Sequence, residues 1–246
     1  MTSLILCEGK TDAIFLSYYL EKVCEWTHKF NRTRIPKGFD VKANKSGGES
    51  VEWYHKNDNF LVVCAVGSKD KFTGFVKHKI IPAMLNSTMF SKIALVTDRD
   101  DRSIESICQS VQNMFSTVVS SIKNNSWTEN IYHTGTPGRE ASVEFLLLAI
   151  PMDKEGALET LLIDSIASHE YDKPIVEKSK AYIADVEPLA TKYIGKTRLK
   201  LKALLGVIWA TQCPEMIFSF IDEQIRSVKW EDSKILTECF SELIKI

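Results

Sequence analysis

The most informative stretch for the fold is Ile93-Ala94-Leu95-Val96-Thr97-Asp98-Arg99-Asp100, in which a run of apolar residues ends abruptly at acidic residues. The stretch Leu4-Ile5-Leu6-Cys7-Glu8-Gly9 shows the same pattern about ninety residues earlier. Four or five aliphatic residues that end at turn or helix-start signals are typical of an interior strand of a parallel sheet. The two stretches therefore predict two buried strands, each followed by a carboxylate.

Strands and helices alternate through the first part of the chain. Residues 60–66 predict a further buried strand and residues 129–133 a shorter one, with helical spacing over 11–26, 72–85 and 103–122. Such alternation predicts an α/β fold with a mostly parallel sheet flanked by helices. The polar residues 27–59 are interpreted as a long loop or an irregular β excursion.

From residue 142 onward the pattern changes, and the segments are interpreted as helices, beginning with the apolar residues 143–150. We therefore expect an α/β domain over residues 1–140. Residues 141–246 are expected to form a helical C-terminal cap packed on that domain.

The acidic residues that follow the predicted strands are the candidate functional site. Ligands gather beyond the carboxyl ends of parallel strands, so Glu8, Asp98 and Asp100 are expected to converge if the strands are neighbours. Close carboxylates repel one another unless a cation or protons intervene, and hard oxygen ligands suit Mg²⁺ or Mn²⁺. The pattern predicts a divalent-metal site. Lys69, after the strand at 60–66, is expected at the same edge, where it could contact phosphate.

The pairing of these two motifs resembles the TOPRIM domain, which is shared by topoisomerases, bacterial primases, small ribosomal-RNA maturases and OLD-family nucleases. Glu8, Gly9 and Asp12 match the Glu-Gly-x-x-Asp motif, and Asp98 and Asp100 match Asp-x-Asp. The resemblance covers roughly residues 1–150. Many members have a glycine shortly after Asp-x-Asp, whereas Asp-Arg-Ser follows here at 101–103, which leaves the subfamily open.

The resemblance implies a Mg²⁺-dependent nuclease, because paired cations can activate water and neutralise the leaving oxygen of a phosphodiester. Asp98 and Asp100 would be the principal metal ligands, and Glu8 would bind metal or act as the general base. In OLD-type nucleases an additional acidic residue on a later helix completes a second metal site. Glu144 looks similar, with Glu140 one predicted helical turn away as its substitute.

A basic side chain is also expected, to stabilise the charge that develops on the pentacoordinate phosphate. Lys200 is the candidate for this catalytic role, with Lys196 and Lys202 beside it in the densest basic run, residues 192–202. Such runs are as often solvated faces, so a structural explanation is equally open.

The nucleic acid partner is left open between DNA and RNA. A topoisomerase would need a nucleophilic tyrosine domain and a primase a zinc-binding region, so a separate hydrolase is favoured. Two alternatives remain: a non-cleaving nucleic-acid-binding or regulatory module, and an effector subunit of a phage-defence system. The latter would need a separate ATPase, because the chain has no Gly-x-x-x-x-Gly-Lys-Ser/Thr loop.

Composition agrees with a cytoplasmic globular protein. The 246 residues include 44% hydrophobic and 26% charged residues, with a net charge of −1. No stretch approaches the roughly 20 apolar residues needed to span a bilayer, so no membrane partner is expected. Six dispersed cysteines predict buried thiols in a reducing compartment, and no signal peptide is expected. Self-association into a homo-oligomer is left open.

Overall fold

The structure is a computed structural model that describes residues 1–28, 46, 48–87, 90–216 and 221–246. Most of the predicted loop, residues 29–45, lies outside the described residues. The chain divides into two compact units. The first contains Met1–Thr97, Arg102–Ala149 and Ser241–Ile246, and the second contains Asp98–Asp101 and Ile150–Phe240.

A seven-stranded sheet organises the first unit, in the order β2-β3-β4-β1-β5-β7-β6. Its strands are β1 (Thr2–Cys7), β2 (Thr27–His28), β3 (Ser50–Lys56), β4 (Asn59–Ala65), β5 (Lys92–Asp98), β6 (Thr128–His133) and β7 (Glu140–Ile150). The central strand β1 pairs in parallel with both β4 and β5, whereas β2/β3, β3/β4 and β6/β7 are antiparallel. The predicted α/β class is confirmed, and the sheet is mixed with a parallel centre.

The central strands are those with continuous apolar runs, because both of their faces are covered. Residues 3–7 of β1 and 93–98 of β5 are buried throughout. The strand β3, in contrast, joins the sheet through a tight hairpin in which Lys56 faces Asn59. Asn57 takes a left-handed φ of 54° at this turn, a conformation that asparagine tolerates and two-residue hairpins require.

Two helices of the first unit begin where polar side chains accept hydrogen bonds from backbone N–H groups. In α1 (Lys10–Lys22) the carboxylate of Asp12 accepts a hydrogen bond of 2.7 Å from the Gly9 N–H. In α4 (Ile104–Met114) the Ser103 hydroxyl accepts one from the Ser106 N–H. Between them, α2 (Phe72–Phe75) and α3 (Ile81–Ser87) flank a π-helical turn (Val76–Ile80), and Pro82 is accommodated in the first turn of α3.

The strand β7 corrects one prediction. Residues 143–150 were expected to be a helix, but Glu140–Ile150 is a strand that is buried almost throughout its second half. An unbroken apolar run has no period of its own, so a fully covered strand and a buried helix look alike in sequence. Because β7 belongs to the sheet, the first unit extends to Ala149, beyond the predicted boundary at residue 140.

The second unit is helical. Its helices are α5 (Leu158–Ala167), α6 (Lys173–Val186), α7 (Thr191–Ile194), α8 (Thr197–Gln212), α9 (Ile221–Arg226) and α10 (Lys234–Cys239). The following residues, 241–246, belong to the first unit, where the Trp127 indole N–H donates to the Glu242 carbonyl at 3.1 Å. Among the described residues, none of the helices combines the length and apolarity needed to cross a membrane.

Candidate functional site

Glu8 is a buried carboxylate of the first unit, with 1% of its surface exposed, and it directly follows β1. The Thr97 hydroxyl donates a hydrogen bond of 2.7 Å to Glu8 Oε1. The Lys69 ammonium lies 4.0 Å from the same oxygen. A carboxylate this deeply buried is costly without such partners, because a charge loses its hydration on burial. These two contacts therefore offset part of the cost of burying Glu8.

The sheet explains why Lys69 reaches Glu8. Ala65, the final residue of β4, faces Cys7 in the parallel pair β1/β4. The short 3₁₀ turn Lys69–Lys71 follows soon after, beyond the carboxyl end of β4. Lys69 thus lies at the sheet edge where its position in the sequence predicted it.

Asp98 belongs to the second unit and is 3% exposed. Its Oδ1 accepts a hydrogen bond of 3.0 Å from the N–H of Leu158, the first residue of α5. Its Oδ2 lies 3.4 Å from Nη2 of Arg198 on α8. The amino end of a helix and a guanidinium both favour a negative charge. Asp98 is therefore held as a carboxylate between α5 and α8.

Asp100 fixes the short segment that carries Asp98 within the second unit. Its N–H donates to the Gly156 carbonyl at 2.7 Å, and the Gly156 N–H returns a hydrogen bond of 2.9 Å. Gly156 has a φ of 143°, and a Cβ there would lie 2.4 Å from Thr160 Oγ1, so only glycine fits this approach. This β-bridge between Asp100 and Gly156 keeps residues 98–101 beside the start of α5.

Glu159 is a further buried carboxylate, and the sequence analysis missed it. It is 4% exposed and is the second residue of α5. Its Oε1 forms an ion pair with Lys202, which lies one turn after Arg198 on α8. An acid among Ala157, Leu158, Leu161 and Leu162 was the available signal, and it is the same signal that drew attention to Glu144.

Glu144, predicted as a metal ligand, lies elsewhere, and that prediction is wrong. It faces Glu129 across β6 and β7, is about half exposed, and forms a 3.2 Å ion pair with Lys92. Lys92 begins β5, whereas Thr97, which binds Glu8, lies five residues further along the strand. At roughly 3.3 Å per residue, that separation is about 16 Å. Its substitute Glu140 also lies on β7, exposed, beside His133.

The predicted catalytic role of Lys200 also needs correction. Its Nζ lies 2.5 Å from Glu187 Oε1. Lys200 follows Arg198 by two residues, which turns its side chain about 200° around the helix axis. Arg198, not Lys200, is the side chain of α8 that reaches Asp98.

The donors of the second unit fit a hard divalent cation in their chemistry. Asp98 and Glu159 together carry two negative charges on carboxylate oxygens, the ligand type that Mg²⁺ and Mn²⁺ prefer. Within the parts of the chain that the structure describes, no three His, Cys, Asp or Glu side chains are grouped to hold a metal ion. The two carboxylates are instead neutralised by Arg198 and Lys202.

Three of the six cysteines are buried thiols whose pKa values are raised by burial. Burial raises the pKa of Cys24 and of Cys239 to about 12, with a smaller opposing effect of Lys56 on Cys24. Burial also raises the pKa of Cys64 far above its ordinary value. These three thiols remain protonated at neutral pH, as expected for core cysteines.

Comparison with known proteins places the chain in a family. No curated protein matches it. The crystal structure of hypothetical protein PH0156 from Pyrococcus horikoshii OT3 is similar over 100% of this chain and 99% of that chain, with 16% identity and a TM-score of 0.49. The family described as "Protein of unknown function (DUF3226)" matches residues 2–245. Because the match spans nearly the whole sequence, the chain belongs to the DUF3226 family.

Proposed function

We propose that this protein is a nuclease with a TOPRIM-like carboxylate site that hydrolyses phosphodiester bonds of nucleic acid with Mg²⁺ or Mn²⁺. One observation carries the proposal: a buried acid lies at the carboxyl end of each of two neighbouring parallel strands. Glu8 follows β1, and Asp98 ends β5. Carboxylates are expensive to bury, and the carboxyl ends of parallel strands are where α/β proteins bind ligands. A catalytic role would explain why both carboxylates are buried at the carboxyl ends of these strands.

Each residue has a role in this proposal. Asp98 and Asp100 are the principal metal ligands, and Glu159 takes the role that the sequence analysis assigned to Glu144. Glu8 binds metal or accepts the proton of the attacking water. Bound cations would lower the pKa of that water and neutralise the leaving oxygen. Lys69 contributes a positive charge beside Glu8 and contacts a non-bridging phosphate oxygen.

A second candidate function is a non-cleaving nucleic-acid-binding or regulatory module. The observation that favours it is the pairing of Asp98 with Arg198 and of Glu159 with Lys202, which neutralises both acids without a metal. Buried ion pairs of this kind also occur for purely structural reasons. A requirement for a separate ATPase, and self-association, remain predictions that rest on the sequence.

Cleavage assays on plasmid, single-stranded DNA and RNA, with Mg²⁺, Mn²⁺ or EDTA, separate the two functions. We expect metal-dependent cleavage that falls roughly a thousandfold in Glu8→Gln and Asp98→Asn, because losing a metal ligand removes several kcal/mol of transition-state stabilisation. Glu144→Gln is the matched control and should cleave normally. Binding without cleavage would favour the module. Undiminished cleavage by both variants would overturn the proposed site.

A further inference from the structure

The large apolar side chains that are exposed are concentrated in one stretch of the second unit. Of the eight such residues in the described parts of the chain, five lie between residues 171 and 199. They are Tyr171, Tyr182, Leu189, Tyr193 and Leu199. Contact of such side chains with water is unfavourable, so their concentration makes this stretch a candidate interaction surface.

The charge around Tyr193 distinguishes it from the other exposed tyrosines. Residues 188–214 contain five basic residues and no acid, in a chain whose net charge is −1. Tyr171, in contrast, stands between Glu170 and Asp172. An exposed aromatic ring in basic surroundings is the combination with which proteins bind nucleic acid.

Three of those five basic residues already pair with acids of the second unit, namely Arg198, Lys200 and Lys202. The other two, Lys192 and Lys196, are exposed, and neither forms an ion pair with another described residue. The Lys192 Nζ lies 5.6 Å from the centre of the Tyr193 ring. Two lysines that are not paired with acids among the described residues thus flank the exposed ring.

The helix α7 presents these side chains to solvent. None of its residues, Thr191–Ile194, is buried, and Tyr193 is 68% exposed. Gly195 makes the turn from α7 into α8 tight, because a Cβ at this residue would lie 2.5 Å from the Thr191 carbonyl oxygen. Lys196 follows directly, so the ring and both lysines lie on one short turn.

This turn adjoins the candidate site within the second unit. Lys196 immediately precedes α8, and Arg198, near the start of that helix, contacts Asp98. Two residues of a helix correspond to a rise of only about 3 Å. A phosphate bound at Lys196 would therefore lie close to the residue that contacts Asp98.

We propose that Lys192, Tyr193 and Lys196 form a binding surface for single-stranded nucleic acid. A base stacks on the Tyr193 ring, and the two ammonium groups contact the phosphates on either side of that base. The bases of a duplex are stacked on one another, so their faces are not available to the ring. This inference rests on nucleic acid as the ligand in the function proposed above, and adds that the strand is single.

Equilibrium binding of short labelled oligonucleotides in EDTA tests the ring without metal or cleavage. We expect a single strand to bind wild type at least about fivefold more tightly than a duplex of the same sequence, the least that stacking of one base contributes. Tyr193→Ala should lose this preference, whereas Tyr193→Phe keeps the ring and should retain it. Tyr171→Ala is the matched control, because Tyr171 is 88% exposed but lies between two acids, and it should bind like wild type.

The dependence of binding on salt tests the two lysines. For a single strand, each phosphate contact steepens the slope of log affinity against log salt concentration by about 0.7. Lys192→Gln and Lys196→Gln should therefore each reduce the slope by about 0.7. Lys234→Gln on α10 is the matched control, because Lys234 is exposed but paired with Glu238, and it should leave the slope unchanged.

Circular dichroism verifies that each variant is folded. Equal binding of the single strand by Tyr193→Ala and Tyr171→Ala would overturn the surface, and metal-dependent cleavage by wild type would then leave the nuclease proposal intact. Equal affinity of wild type for single strand and duplex would overturn the assignment of a single strand. Neither binding nor cleavage by wild type would overturn both proposals. The expected losses in a protein that does not cleave would support the surface and overturn hydrolysis.

Discussion

Replacing Thr97 by valine tests whether Glu8 is held as a charged group in the first unit. The substitution keeps the shape of a β-branched side chain and removes the hydroxyl that donates a hydrogen bond of 2.7 Å to Glu8 Oε1. Thr97 and Glu8 are both buried, so water does not readily replace the lost donor. The Lys69 ammonium, 4.0 Å away, is too distant to take its place as a hydrogen-bond donor.

The size of the effect follows from this geometry. A hydrogen bond to a charged group contributes about 1.5–3 kcal/mol to the free energy of unfolding. The added methyl group of valine offsets up to about 0.8 kcal/mol of that loss by apolar burial. We expect Thr97→Val to lower the free energy of unfolding by about 1–2 kcal/mol, or the melting temperature by about 2–8 °C for a chain of this size.

Thr128 on β6 offers a matched control. Its Oγ1 is buried and has no hydrogen-bond partner among the described residues. Thr128→Val removes a hydroxyl that forms no bond, so it should leave stability unchanged or raise it by up to about 1 kcal/mol. Urea denaturation of the two variants compares the same chemical change in two surroundings.

A double-mutant cycle with Glu8→Gln isolates how much of the Thr97–Glu8 hydrogen-bond energy depends on the charge of Glu8. The amide of Gln can still accept the hydroxyl, but a neutral hydrogen bond is roughly half as strong as one to a carboxylate. The cost of Thr97→Val should therefore fall by about half in the Glu8→Gln background. An equal cost in both backgrounds, or a cost no larger than that of Thr128→Val, would refute the reasoning.

Three further predictions follow from the same contacts. Asp98→Asn should lower metal-free stability by about 1–2 kcal/mol in thermal denaturation, since it removes the charge paired with Arg198; a rise would show instead that carboxylate repulsion dominates. The pKa values of Cys24 and Cys239 rise from 9.0 to about 12, so the folded protein keeps protons that the unfolded chain loses. Stability should therefore fall between pH 9 and 12, by at most about 1.4 kcal/mol per pH unit for each thiol, and less steeply in Cys24→Ala when measured in urea. Gly156→Ala should lower the free energy of unfolding, measured in urea, by at least about 2 kcal/mol and weaken Mn²⁺ binding, because the added Cβ would clash with Thr160. A variant of wild-type stability would contradict the role given to the bridge between Asp100 and Gly156.

Sequence patterns located the central strands of the sheet and the edge strand β6, but not β3 or β7. The strands β1, β4 and β5 are continuous apolar runs that end at polar residues, and this pattern allowed their prediction. The strand β3 mixes apolar with polar and charged side chains, so it falls in the segment interpreted as a long loop or an irregular β excursion. The strand β7 looked like a helix because apolar residues occupy every position of its second half.

The candidate site could be predicted where it depends on strand ends, and not where it depends on helix rotation. Glu8 and Asp98 follow strands whose direction is fixed by the parallel pairing. Which basic residue of α8 reaches Asp98 depends on a rotation of 100° per residue, so the neighbours Arg198 and Lys200 face different partners. Identifying Glu159 requires knowing that the start of α5 is buried, and this burial depends on contacts with residues distant in sequence.

The division of the chain into two units has a consequence for its folding. Residues 241–246 complete the first unit, yet roughly ninety residues of the second unit separate them from Ala149. If those residues were unfolded, closing such a loop would cost about 4 kcal/mol of chain entropy. A folded second unit has already lost that entropy, so the six-residue segment docks at much lower cost. We therefore expect a mutation that unfolds the second unit to loosen the contact between Trp127 and Glu242 in the first.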